Sequence, residues 1–131
     1  MKVYFLLAAA VTVLTGCSTT QSPPPSASGP ESMMITYHVI PGKEQEFQEL
    51  LSGAWEVYLK ENMVFAKPHL VVKAVEEGNK IRYTEIFTWV QSPNHPPESV
   101  KRVWEREQAL CEARNGHKGI GGGEVRLITG P

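Results

Sequence analysis

Glu85 is a lone carboxylate within Ile81 to Val90, a run otherwise built from Ile, Arg, Tyr, Thr, Phe, Trp and Val. Burial in such a run raises a carboxyl pKa and leaves the group able to take a proton near neutral pH, which makes Glu85 the first candidate for a general base. The same residue also suits a structural role, as an interface glutamate paired with Arg82, Arg102 or Arg106. His38 is the second catalytic candidate. It alternates away from Ile35, Tyr37 and Val39, so it faces either a pocket or a surface between subunits, where a histidine is simply satisfied.

Tyr37, Trp55, Tyr58, Phe87, Trp89 and Trp104 carry enough ring surface to line a pocket for a small aromatic ligand, and a small domain also needs such residues for its core. His69, His95 and His117 have no metal-ligand spacing with one another or with His38, so no zinc or iron site is expected. Cys111 follows Val100 and Trp104 at helical spacing and reads as a buried, unreactive thiol. Gly116 to Gly123, GHKGIGGG, lacks the glycine-Lys-Ser/Thr ending of a phosphate loop and runs from helix into strand. It is expected to be a mobile loop, placed to act as a flap over a pocket mouth.

The elements that position these residues follow from periodicity. Met33 to Ile40 alternates as a strand and stops at Pro41-Gly42. From Lys43 to about Met63, Phe47, Leu50, Leu51, Ala54, Trp55, Tyr58 and Leu59 recur every three or four residues, and Glu44 and Glu46 favour the helix start. Leu70 to Val75 and Ile81 to Val90 read as a hairpin turning at Glu77 to Lys80. After a proline-rich loop, Glu98 to about Asn115 places Val100, Val103, Trp104, Leu110 and Cys111 on one stripe, and Glu124 to Thr129 reads as a last strand.

This order, β-α-β-β-α-β, predicts a ferredoxin-like α+β fold: a four-stranded antiparallel sheet in the order fourth, first, third, second, with two helices on one face. Both alternating sets of the third strand, Thr84, Ile86, Thr88 and Val90 against Ile81, Tyr83, Phe87 and Trp89, are too apolar for one to face water. A second copy packed sheet against sheet would cover the bare side, so a homodimer is expected.

With these elements in place, Met33 to Thr129, within a domain expected over residues 33–131, resembles the dimeric α+β barrel superfamily, and most closely its antibiotic-biosynthesis monooxygenase branch. The resemblance rests on Pro41-Gly42-Lys43-Glu44-Gln45-Glu46-Phe47 after the first strand and on Glu85-Ile86-Phe87 in the third. It implies oxidation of a small aromatic or quinol substrate by molecular oxygen, with no metal, flavin or other cofactor, in a pocket between helices and sheet. A non-catalytic module that binds a small ligand or an envelope partner through the same dimer is the alternative. Haem degradation by relatives of this fold implies an Asn on the first strand, a Trp ending the third and a His on the second helix. Trp89 fits, but the Asn and the His are missing.

The N-terminus speaks to location. Lys2 precedes an apolar run, Val3 to Leu14, that is too short to span a bilayer, and Leu14-Thr15-Gly16-Cys17 resembles a bacterial lipobox. Residues 1–16 are therefore expected to be a lipoprotein signal peptide and Cys17 the lipidated first residue of the mature chain. Ser18 in place of Asp implies the outer membrane, facing the periplasm. Residues 17–32 hold one charge, three consecutive prolines and no aromatic residue, which makes a disordered tether of roughly 20 Å. Loss of Lys2 leaves twelve of the thirteen basic residues against fourteen acidic ones, a mature charge of about minus two, and no basic patch for nucleic acid. Cys111 then has no partner for a disulfide. Replacing Cys17 with Ser should move the protein from the membrane fraction to the soluble fraction, as cell fractionation would read directly.

Overall fold

The computed structural model describes residues 29–128, so the signal peptide, Cys17 and most of the tether lie outside the described residues. The chain runs β1 (Glu31–His38), α1 (Glu44–Lys60), β2 (Val64–Val75), β3 (Ile81–Trp89), α2 (Glu98–Ala109) and β4 (Ile120–Glu124). The strands form one antiparallel sheet in the order β2-β3-β1-β4, the ferredoxin-like arrangement that periodicity predicts. Among the described residues no helix is long and apolar enough to cross a membrane.

Strict alternation on β3 decides which side chains meet the helices. Ile81, Tyr83, Glu85, Phe87 and Trp89 are buried, whereas Arg82 is exposed and Thr84, Ile86 and Thr88 are half-buried. The helices bring Phe47, Leu50, Leu51, Ala54 and Tyr58 from α1 and Val100 and Val103 from α2 onto that inner face. The core divides into two clusters. One gathers Tyr37, Val39, Phe47, Leu50, Leu51, Ile81, Tyr83 and Leu110. The other gathers Ala54, Tyr58, Val64, Phe87, Trp89, Val100 and Val103. On the outer face Met34, Leu70, Val72 and Val90 stay exposed, Leu70 at 55% and Val72 at 54%.

Several boundaries differ from those read along the sequence. β1 begins at Glu31, so the last two residues assigned to the tether belong to the sheet. β2 begins at Val64 rather than Leu70, with a register shift between Val64 and His69. Pro68 lies in that interval, and a residue without an N–H is tolerated where the ladder is interrupted. The hairpin between β2 and β3 turns where expected, with Gly78 and Asn79 at positive φ, 74° and 58°. α1 ends at Lys60 instead of Met63, and α2 at Ala109 instead of Asn115. Beyond α2 the buried Arg114 donates to the carbonyls of Val39 at 2.7 Å and Ile81 at 3.2 Å, which draws this segment off the helix axis and onto the strand ends. Cys111 forms an isolated bridge with Val39. Burial pushes its thiol up to about 12, in keeping with an unreactive side chain.

The glycine run departs furthest from expectation. The last strand is not Glu124 to Thr129. It is Ile120–Glu124, so Gly121, Gly122 and Gly123 are strand rather than loop or flap. A ladder is made by backbone groups alone, and at one position, Gly122, close approach also requires the absence of a side chain. Gly122 lies opposite Ile35, and a Cβ at that position would fall 2.6 Å from both Ile35 Cδ1 and the Met34 carbonyl oxygen. Gly121 has open space around the equivalent point. Gly122→Ala should therefore destabilise the fold by about 1–3 kcal/mol, while Gly121→Ala should change stability by less than about 1 kcal/mol. Thermal denaturation of the two variants side by side would check the contrast.

Candidate functional site

Glu85 sits at the centre of the inner face, 1% exposed. Register places Ile35 and Val71 directly beside it on the neighbouring strands. The diagonal positions on the same face belong to Tyr37 on β1 and His69 on β2. Both reach the carboxylate: Tyr37 Oη donates to Oε2 at 2.9 Å, and His69 Nε2 meets Oε1 at 2.8 Å. Trp55 from α1 lies flat on the His69 ring, with centroids 3.5 Å apart and planes 9° from parallel. Burial raises the Glu85 pKa, and the hydrogen bonds from His69 and Tyr37 hold part of that rise back. Burial, reinforced by the Glu85 charge, pushes the Tyr37 phenol well above its ordinary range.

Arg82, Arg102 and Arg106 do not meet this carboxylate. Arg82 turns to the outer face and approaches Glu76 at 3.4 Å, and Arg102 approaches Glu98 at 3.9 Å on the exposed side of α2. His38 also turns outward, opposite Arg82, with Nδ1 donating to the Lys118 carbonyl at 3.0 Å. It borders an outer-face depression of about 490 Å³ together with Thr36, Arg82 and His117. Glu85 and His38 are thus separated by the sheet itself, and they do not share one site. Sheet parity alone carries that separation, because even-numbered residues of β1 and odd-numbered residues of β3 point to opposite faces.

Between the helices and the inner face lies a cavity of about 610 Å³. Tyr37, Tyr58, Phe87, Trp89 and Trp104 line it, together with Ile35, Glu31 and Lys118. Five of the six aromatic candidates are therefore brought together, and Trp55 is set apart over His69. Trp104 Nε1 donates to Tyr58 Oη at 2.9 Å, which joins the two helices at the cavity wall. His69 borders a second cleft of about 330 Å³ with Gln48, Ser52, Lys73 and Tyr83. Glu85 bridges the two spaces through one hydrogen bond on each side.

Glu107 lies outside the candidates named from the sequence. It lines the main cavity, is 3% exposed, and its buried Oε1 has no hydrogen-bond partner. Burial first, and the Glu85 charge second, push its carboxyl up to about 8. A signal was present in the sequence: Val100, Val103, Glu107 and Leu110 follow one another at steps of three and four, so Glu107 falls on the apolar stripe of α2. Among the described residues no three His, Cys, Asp or Glu side chains are grouped to hold a metal ion.

A carboxyl whose pKa is raised on folding contributes stability that is complete below its unfolded value and is lost as pH rises through the folded one. For Glu107 that loss runs from the ordinary glutamate range to about 8. Glu107→Gln, which cannot ionise, should match the parent near pH 5 and exceed it above pH 8 by on the order of several kcal/mol. Urea denaturation at the two pH values would measure the difference.

No family model matches this chain, and no curated protein matches it. Solved structures do. A conserved protein from Methanosarcina mazei Go1 superposes with a TM-score of 0.55 at 16% identity, over 79% of this chain and 97% of the other. A Bordetella bronchiseptica structure described as "Putative antibiotic biosynthesis monooxygenase" superposes with a TM-score of 0.48 at 15% identity, over 77% of this chain and 99% of the other. At such identities a likeness concerns the fold, and the Methanosarcina protein, matched over nearly its whole length, has the same chain path as the ferredoxin-like α+β domain described above.

Proposed function

We propose that this domain binds a small aromatic compound in the cavity between its helices and sheet and oxidises it with molecular oxygen, in the manner of the cofactor-independent monooxygenases that its sequence resembles. The observation that carries the binding half is an aromatic-walled space of about 610 Å³ with a buried, unpartnered carboxylate oxygen in its lining. In a phenol-type substrate, loss of the hydroxyl proton leaves an anion whose electrons reduce dioxygen directly. One phenol and one dioxygen then become one quinone and one water. Tyr37 touches the cavity, and Tyr37, Glu85 and His69 form an unbroken hydrogen-bonded path to the second cleft along which the proton leaves. Glu85 is a positioning and proton-relaying residue in this scheme, because Tyr37 stands between it and the ligand.

Two such domains pair through their outer sheet faces, where Met34, Leu70, Val72 and Val90 are exposed. Lipidated Cys17 holds the pair to the outer membrane on the periplasmic side. A second reading, a non-catalytic binding module, is favoured by one feature: both Glu85 oxygens are already occupied by the chain's own donors.

Oxygen uptake and tryptophan fluorescence of the full-length protein, sedimenting as a dimer, with a panel of phenols and quinols would test the proposal. Expected are fluorescence quenching through Trp89 and Trp104 and one dioxygen consumed per quinone formed. Tyr37→Phe should lower turnover by about 100-fold or more while changing affinity by only a few-fold. Quenching without oxygen uptake would leave the non-catalytic module standing, and absence of both would overturn the cavity as a binding site.

A further inference from the structure

The walls of the main cavity also select the charge of its occupant, an inference that rests on the ligand-binding reading above. Glu107 projects from α2 between the buried Val103 and Leu110, and its Oε1 is sealed from water without accepting any hydrogen bond. Folded proteins pair nearly all such atoms, so an orphan in a cavity wall marks the place of a missing donor. Among the lining rings, Tyr58 and Phe87 lie 6.4 Å apart at 30°, while the others meet at steep angles. Phe87 and Trp89 are 4.7 Å apart at 89°, Tyr58 and Trp89 5.5 Å apart at 64°, and Trp89 and Trp104 6.4 Å apart at 73°. Rings set in this way form the corner of a box, and the faces of such rings carry the negative end of the aromatic quadrupole.

The charges agree with the rings. Glu107 and Glu31 line the cavity, Glu85 lies one hydrogen bond behind Tyr37, and the single cationic residue of the lining, Lys118, is exposed. We propose that the cavity recognises an organic cation: a small aromatic compound bearing a protonated amine or quaternary ammonium group, with the cationic head placed against Glu107 and the rings of Tyr58, Trp89 and Trp104. An ammonium supplies both the donor that Oε1 lacks and the positive charge that the ring faces attract. A neutral phenol supplies only the first, and an anion meets two carboxylates and the negative face of every wall.

Isothermal titration of the full-length protein at about pH 8.5, above the value of about 8 to which burial pushes Glu107, separates these cases with three probes sharing one phenol ring. Tyramine ends in an ammonium, para-propylphenol in a methyl of similar size and para-hydroxyphenylpropionate in a carboxylate. Tyramine should bind about tenfold or more tighter than para-propylphenol, and the carboxylate should bind weakest. Glu107→Gln, which keeps the shape and removes the charge, should bring tyramine and para-propylphenol to within about twofold of each other. Equal affinity of the parent protein for these two probes, or a preference that survives in Glu107→Gln, would overturn the inference and leave the aromatic-binding reading intact. Failure of all three to bind would overturn that reading and the inference together.

Discussion

A carboxylate removed from water must find hydrogen-bond donors, and in this domain that requirement falls at the middle of the sheet. An uncompensated buried charge costs several kcal/mol, comparable with the whole stability of a small domain. Glu85 meets the requirement with Tyr37 on one neighbouring strand and His69 on the other, so the same two bonds that satisfy the charge also tie β1, β3 and β2 together across the inner face. The core is arranged around this point. Tyr83, on one side of Glu85 along β3, belongs to one apolar cluster, and Phe87, on the other side, belongs to the second. Trp55 closes the arrangement by covering one face of the His69 ring, whose side chain keeps 22% of its surface exposed at the second cleft.

The second buried carboxylate obeys the same physics and has the opposite outcome. Glu107 lies on the apolar stripe of its helix, in the wall of a cavity, with an oxygen that nothing in the chain reaches. Burial disfavours ionisation there and raises the carboxyl pKa. Evolution can retain such a group where its cost is offset by a bound partner, which is why unpaired buried polar atoms concentrate at binding sites. Glu85 and Glu107 therefore divide the labour between them: one is satisfied internally and organises the sheet, the other lies in the cavity wall with a buried oxygen that has no partner.

The sheet imposes a further constraint, because both of its faces are apolar. α1 and α2 cover the inner one, while Leu70, Val72 and Met34 remain exposed on the other. At the β4 edge the chain comes close to β1 by dispensing with side chains, and Gly122 sits where any Cβ would collide with Ile35 and the Met34 carbonyl. Among Gly121, Gly122 and Gly123 only Gly122 is required by close packing, and the strand it belongs to continues the cavity wall formed by Ile35, Tyr37 and Ile120.

Local pattern accounts for much of this architecture. Alternation in β1 and β3, the three-and-four spacing of α1 and the turn at Gly78 and Asn79 were each legible in the chain. Together they led to the element order and the sheet order, because side-chain period and turn chemistry are properties of neighbouring residues. The grouping of Tyr37, Tyr58, Phe87, Trp89 and Trp104 around one space was legible as composition. Elements stabilised by distant partners were misplaced: β4 is held by backbone bonds to β1, and the end of α2 follows from the reach of Arg114 to Val39 and Ile81. The site shows the same division. Glu85 could be singled out from its own strand, but its partners lie 48 and 16 residues away, and they meet it only after strand pairing has set the register. His38 illustrates the converse, since a sound local reading of its face could not say that the sheet would stand between it and Glu85. By itself the chain determined which residues alternate, coil and turn. Tertiary structure alone decided which buried polar groups are paired and which are left without a partner, because burial and hydrogen bonding depend on contacts that no neighbouring residue supplies.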